Sequence, residues 1–158
     1  MSFSKNLKYV YEDIAVIAIY LPNVSEIPFE TNGGYLLEQY RRFLSECSEI
    51  MGRENGCRDV IMHNHYIYGI FDGYCDESIR RVAMLAKQID VRIQEVIYGR
   101  AGYPEQMIYG IGVATGLAVT LPIKKRSNKI RHHIWMGNVF DKAFLLAQQS
   151  IHGGRNNQ

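Results

Sequence analysis

Eight consecutive apolar residues, Ile14 to Leu21 (IAVIAIYL), fix the centre of any fold this chain adopts. The run is rich in branched side chains and stops at Pro22-Asn23. It falls far short of the roughly 18 apolar residues that a membrane span requires. A short, uniformly apolar run closed by turn residues reads as a buried central strand.

The flanking sequence reads as helices and hairpins. Turn residues Thr31-Asn32-Gly33-Gly34 come first. Leu36, Tyr40, Phe43, Cys47 and Ile50 then recur at helical spacing, with Arg41, Arg42, Glu46 and Glu49 on the other side. That pattern predicts an amphipathic helix, closed by Gly52 to Gly56. Asp59–Met62 and Tyr66–Phe71 are strand-like and joined by His63-Asn64-His65. Asp76 is placed to cap a second helix. Its expected buried stripe is Ile79, Val82, Ala83, Ala86, Ile89, Ile93 and Ile97, before a break over Gly99–Pro104. Met107–Leu121 is apolar with Gly110, Gly112 and Gly116 interspersed, which predicts a strand, a tight turn and a strand. No helix opens after these glycines, so they spell no dinucleotide fingerprint, and close backbone packing explains them better. Ile130–Met136 reads as a further strand. Gly137-Asn138 then opens a last helix with Phe140, Ala143, Phe144 and Ala147 inward, before a polar tail at 153–158.

This order predicts an α+β class with a ferredoxin-like βαββαβ core, an extra β-hairpin and a C-terminal helix. The sheet is expected to be antiparallel with its helices on one face. A length of 158 residues suits a single domain with a core over about 11–150. The net charge of +2 is too small to imply a nucleic-acid partner. Lys124, Lys125, Arg126, Lys129 and Arg131 read as a solvated hairpin tip. Cys47, Cys57 and Cys75 are odd in number and lack ligand spacing, against a zinc knuckle or a disulfide framework. Buried or half-buried thiols in a reducing, cytoplasmic compartment are expected. The first residues show no secretory signal, and no membrane association is expected.

Two stretches carry a family likeness. One is Ile111-Gly112-Val113-Ala114-Thr115-Gly116, followed by Trp135-Met136-Gly137-Asn138-Val139-Phe140-Asp141-Lys142-Ala143. The other is Ile19-Tyr20-Leu21-Pro22-Asn23-Val24-Ser25-Glu26, with the His63-Asn64-His65 hairpin 45 residues on and a strand ending at Phe71. Together they resemble class III adenylate and guanylate cyclases. Trp135 and Lys142 are reminiscent of the bacterial branch that includes the pyrimidine cyclases of Pycsar anti-phage defence.

The resemblance implies a nucleotide site shared between two protomers, with two metal-binding aspartates from one half. Those positions are Tyr20 and His65 here. The partner half would supply an asparagine for the ribose and an arginine for the phosphates, where Asp141 and Leu145 stand. Hard cations such as Mg²⁺ or Mn²⁺ need oxygen ligands, preferably carboxylates. A phenol with a pKa near 10 and a softer imidazole are poor substitutes. Leucine cannot bind phosphate. Losing one electrostatic stabiliser costs on the order of 10²–10³ in rate, and all four aligned positions depart from the pattern.

The resemblance therefore points to a degenerate cyclase-like domain with no metal or cofactor. It would act as a homodimer, or as a heterodimer with an intact cyclase, and bind a nucleoside triphosphate or cyclic nucleotide. The alternatives are an active Pycsar-like cyclase using Mg²⁺ or Mn²⁺, and a ferredoxin-like interaction domain without a nucleotide. Trp135 and Lys124 are the candidate nucleotide contacts. Trp135 is placed either to stack on a base or to close the core at a strand end. The pairs His63/His65 and His132-His133 have no cysteine or carboxylate at ligand spacing, so no metal site is read there.

Overall fold

The computed structural model describes residues 9–22, 33–63, 65–95, 108–124 and 131–151. The apolar run lies at its centre. Strand β1 (Val10–Tyr20) pairs antiparallel with β3 (Tyr66–Asp72) on one side and β4 (Gly110–Lys124) on the other. The edge strands are β2 (Cys57–His63) and β5 (Arg131–Met136), in the order β2-β3-β1-β4-β5. Helices α1 (Gly33–Arg53), α2 (Asp76–Ile93) and α3 (Asn138–Gln149) complete the predicted βαββαβ core and its C-terminal additions. Among the described residues, no helix is long and apolar enough to cross a membrane.

Residues 14–19 of β1 are wholly buried. Side chains alternate across a strand, so the run is split between two cores. Ala15, Ile17 and Ile19 pack with Phe43, Cys47 and Met51 of α1 and Val82, Leu85 and Ile89 of α2. Ile14, Val16 and Ala18 face the other way, onto Val139, Ala143 and Ala147 of α3. The expectation of helices on one face is corrected accordingly. α1 and α2 share a face, and α3 covers the opposite one. A strand apolar on both sides leaves neither side to water, since each buried isoleucine contributes about 2 kcal/mol.

The predicted break in the Gly-rich segment is also corrected. β4 runs without a turn for 15 residues. Gly112 lies under α3, and a Cβ there would overlap the Ala143 carbonyl oxygen and the Ala147 amide nitrogen. Glycine here serves close approach of two backbones rather than a turn.

In α2 the buried stripe is Val82, Leu85, Ala86, Ile89 and Ile93. Ala83 is exposed instead, and Ile97 lies outside the described residues. Cys75, not Asp76, holds the N-cap position, without a side-chain cap bond. Asp76 and Glu77 occupy the first turn, where the helix dipole favours negative charge. The thiols diverge from expectation at Cys75, which is exposed, while Cys47 is buried and Cys57 intermediate. Burial pushes the Cys47 thiol up, whereas a hydrogen bond with Ser78 brings Cys75 down. At the far end of α2, the buried Tyr109 hydroxyl donates to Asp90 (2.5 Å) and accepts from Gln94 (2.7 Å). This ties the end of the helix to the chain leading into β4.

Candidate functional site

Two places on the α3 side of the sheet carry chemistry. The first is a corner at the end of β1. Tyr20 stands opposite Tyr66 in the β1–β3 register, and the Leu21 amide donates to the His65 carbonyl at 2.7 Å. These constraints bring the predicted pair together. The Tyr20 and His65 rings meet edge to face with centroids 5.6 Å apart. Phe144 of α3 meets Tyr20 at 5.2 Å and Tyr66 at 5.3 Å. Tyr66 also touches His65 and Tyr68, and Tyr68 touches Phe140. Such edge-to-face contacts suit the ring quadrupoles. The Tyr68 phenol is pushed up to about 12, first by burial and then by Tyr66 and Asp141 nearby.

Asp141 and Leu145 lie on the exposed side of α3, one turn apart, while Phe140 and Phe144 turn toward the corner. The described residues hold no cluster of three His, Cys, Asp or Glu side chains suited to a metal. A corner built from rings does not fit Mg²⁺ or Mn²⁺, which take carboxylate and water oxygens.

The second place is a groove at the start of β1, with a volume of about 380 Å³. It is lined by Glu12, Arg58, Asp59, Thr120, His133 and Trp135, with Val10 at its edge. A β-bulge between Cys57 and Asp59 builds one wall. Bulges insert an extra residue and re-aim side chains, and here both Arg58 and Asp59 reach the groove. The sheet curls enough for its two edges to touch. Trp135 of β5 donates its indole N–H to the Asp59 carboxylate of β2 at 3.3 Å. The Arg58 guanidinium lies 5.5 Å from the Trp135 ring centroid. Arg58 also pairs with Glu12 at 2.8 Å and with Asp72 at 3.3 Å, and the Thr120 hydroxyl donates to Glu12 at 3.3 Å.

Trp135 was expected as a nucleotide contact or as a strand-end core residue, and its half-buried position in this groove gives it both a polar partner and an exposed edge. Lys124 closes β4, and its side chain lies outside the described residues. Glu12, Arg58, Asp59, Thr120 and His133 were not anticipated. The adjacent charges Arg58-Asp59 opening an otherwise apolar strand were the available signal.

The Arg58 guanidinium holds the Glu12 carboxyl below its ordinary value of 4.5. A depressed carboxyl contributes stability above its unfolded pKa and loses it as pH falls through the lowered folded value. Wild type should therefore melt about 2 °C above Glu12→Gln at neutral pH, given a partly exposed pair. The gap should narrow as pH falls below 4.5. Thermal melts of both proteins across that window check this, and a gap that persists in acid would refute it.

Val10 at the groove and Tyr20 at the corner are the two ends of β1. Ten residue steps along a strand span about 33 Å. Groove and corner thus belong to opposite ends of one protomer.

The five-stranded antiparallel sheet with its three helices has the fold of class III nucleotide cyclase domains. The chain superposes on the guanylyl cyclase Cya2 with a TM-score of 0.72 at 13% identity, covering 89% of this chain and 72% of that one. It matches the GTP-bound guanylate cyclase domain of RhGC from Catenaria anguillulae with a TM-score of 0.68 at 17% identity, covering 92% and 77%. By sequence it is 22% identical to a uridylate cyclase of Treponema porcinum over 148 residues, 92% of this chain. It spans 50% of that protein's length. No family model matches the chain.

Proposed function

We propose that the chain is a degenerate cyclase-like domain that binds a nucleotide and pairs with another protomer without forming a cyclic product. The observation that carries this is the filling of the strand-end corner by Tyr20, His65 and Phe144. Cyclisation needs the triphosphate charge neutralised and the 3′-hydroxyl activated, and metal ions commonly supply both. Rings at that corner supply neither.

The groove offers a place for a base. Trp135 provides a stacking surface, and Asp59 and Glu12 accept from N–H groups. Because groove and corner lie at opposite ends of β1, a site of the class III kind needs the groove of one protomer to face the corner of another. The partner is a second copy, or an intact cyclase to which this chain lends its groove as a regulatory subunit.

The test is direct. Purified protein with Mg²⁺ or Mn²⁺ and each of ATP, GTP, CTP and UTP should give no cyclic product above background, while nucleotide binding remains measurable. Light scattering at micromolar concentration should give twice the 18.2 kDa chain mass, or that of a mixed dimer when an intact cyclase is added. A cyclic product abolished by a substitution at the corner would overturn the degenerate reading. It would favour the second reading, an active cyclase, which the match to a uridylate cyclase along 92% of the chain recommends. A monomer alone and with an intact cyclase would remove the pairing.

A further inference from the structure

Within the groove, one lining side chain lies against another. A guanidinium is planar and cationic, and it is attracted to the face of an indole. Arg58 lies over the Trp135 ring at 5.5 Å, within the distance at which this attraction operates. Two carboxylates hold it there, Glu12 at 2.8 Å and Asp72 at 3.3 Å. Trp135 is fixed in turn by its N–H bond to Asp59. The bulge in β2 is what delivers Arg58 to this face, next to Asp59.

We propose that Arg58 is a built-in occupant of the Trp135 stacking face, and that it must swing away before a planar heterocycle can stack in the groove. The inference rests on reading the groove as the nucleotide-base site. It goes beyond that reading by assigning the free chain a self-closed state. A base competes with the guanidinium for the same ring face. Displacement also breaks the pairing of Arg58 with Glu12 and Asp72, so admission depends on how firmly those carboxylates hold it. Glu12 keeps Thr120 as a partner once Arg58 leaves, which leaves it partly satisfied in the open state.

Trp135 is the single tryptophan of the chain, so its emission reports the groove alone. Acrylamide, a small planar quencher, should reach it poorly in wild type. In Arg58→Ala the quenching constant should rise about threefold, with Arg58→Lys intermediate, because the ammonium keeps the ion pair but presents no plane. Arg58→Lys also serves if the alanine variant folds poorly. UTP and GTP, followed by the same emission and by calorimetry, should bind Arg58→Ala about three- to fivefold more tightly than wild type.

Equal acrylamide quenching in wild type and both variants would show that Arg58 does not cover the ring, and the proposal would fall whatever the nucleotides do. Weaker nucleotide binding in Arg58→Ala would make Arg58 a ligand contact and also overturn it. Increased quenching without nucleotide binding by any variant would support the covered face while removing the nucleotide reading of the groove.

Discussion

Gly112→Ala should lower the stability of the fold by about 3 kcal/mol, the upper range for overpacking a tight contact. The new methyl group would collide with backbone rather than with a movable side chain, at the Ala143 carbonyl oxygen and the Ala147 amide nitrogen. Either α3 lifts from the sheet or β4 bends. Both responses disturb the core of Ile14, Val16 and Ala18 and shift Phe144 from the corner. Gly52→Ala is the control. It has nothing within 4 Å and lies in the last turn of α1, so the change should be stabilising by about 0.5 kcal/mol. Urea unfolding midpoints measure both. Equal stability of Gly112→Ala and wild type would mean that α3 does not sit on β4 as described.

Tyr20→Ala should cost about 2 kcal/mol, less than a fully buried aromatic because the ring is half-buried. It removes the edge-to-face contacts with His65 and Phe144 together. Tyr20→Phe keeps both and should stay within about 0.5 kcal/mol of wild type. Tyr20→Asp should be the worst of the three, since it sets a carboxylate among the rings of a half-buried corner. Melting each variant with and without Mn²⁺ separates two accounts of the corner. An aromatic corner predicts no metal effect on wild type. A clear Mn²⁺-dependent rise in the wild-type melting temperature would instead reveal a cation site there and reopen the catalytic reading.

The parts of this fold that sequence reveals are those decided by local pattern. Ile14–Leu21 is apolar on both sides, so it had to be a central strand wherever the helices went. The stripe of α1 was legible in Tyr40, Phe43 and Cys47, all buried. The meeting of Tyr20 and His65 is instead what the resemblance to class III cyclases implies, and the antiparallel β1–β3 register brings it about.

The misread parts depend on three-dimensional closeness. Gly110, Gly112 and Gly116 support two readings, a turn within the segment and close backbone packing, because both favour glycine, and the second is the one observed. Only the position of α3 tells the two apart. The helix faces could not be assigned because alternation in β1 is apolar in both phases. The groove was invisible for a stronger reason. It requires a bulge at Arg58 and a curl that carries β2 to β5, strands separated by three others in the sheet. No neighbouring residues encode that curl. The charged pair Arg58-Asp59 was its only trace in the chain.

The bond between Tyr109, Asp90 and Gln94 has a consequence for how such chains can diversify. It pins together the two ends of the stretch between Glu95 and Ile108, so the helix and the strand hold their places whatever joins them. With the ends already closed, a longer connection adds little entropy cost, about 0.6 kcal/mol for each doubling of its length. The span between α2 and β4 is therefore where the chain can accept an insertion, even a further module, while leaving both the aromatic corner and the tryptophan groove undisturbed.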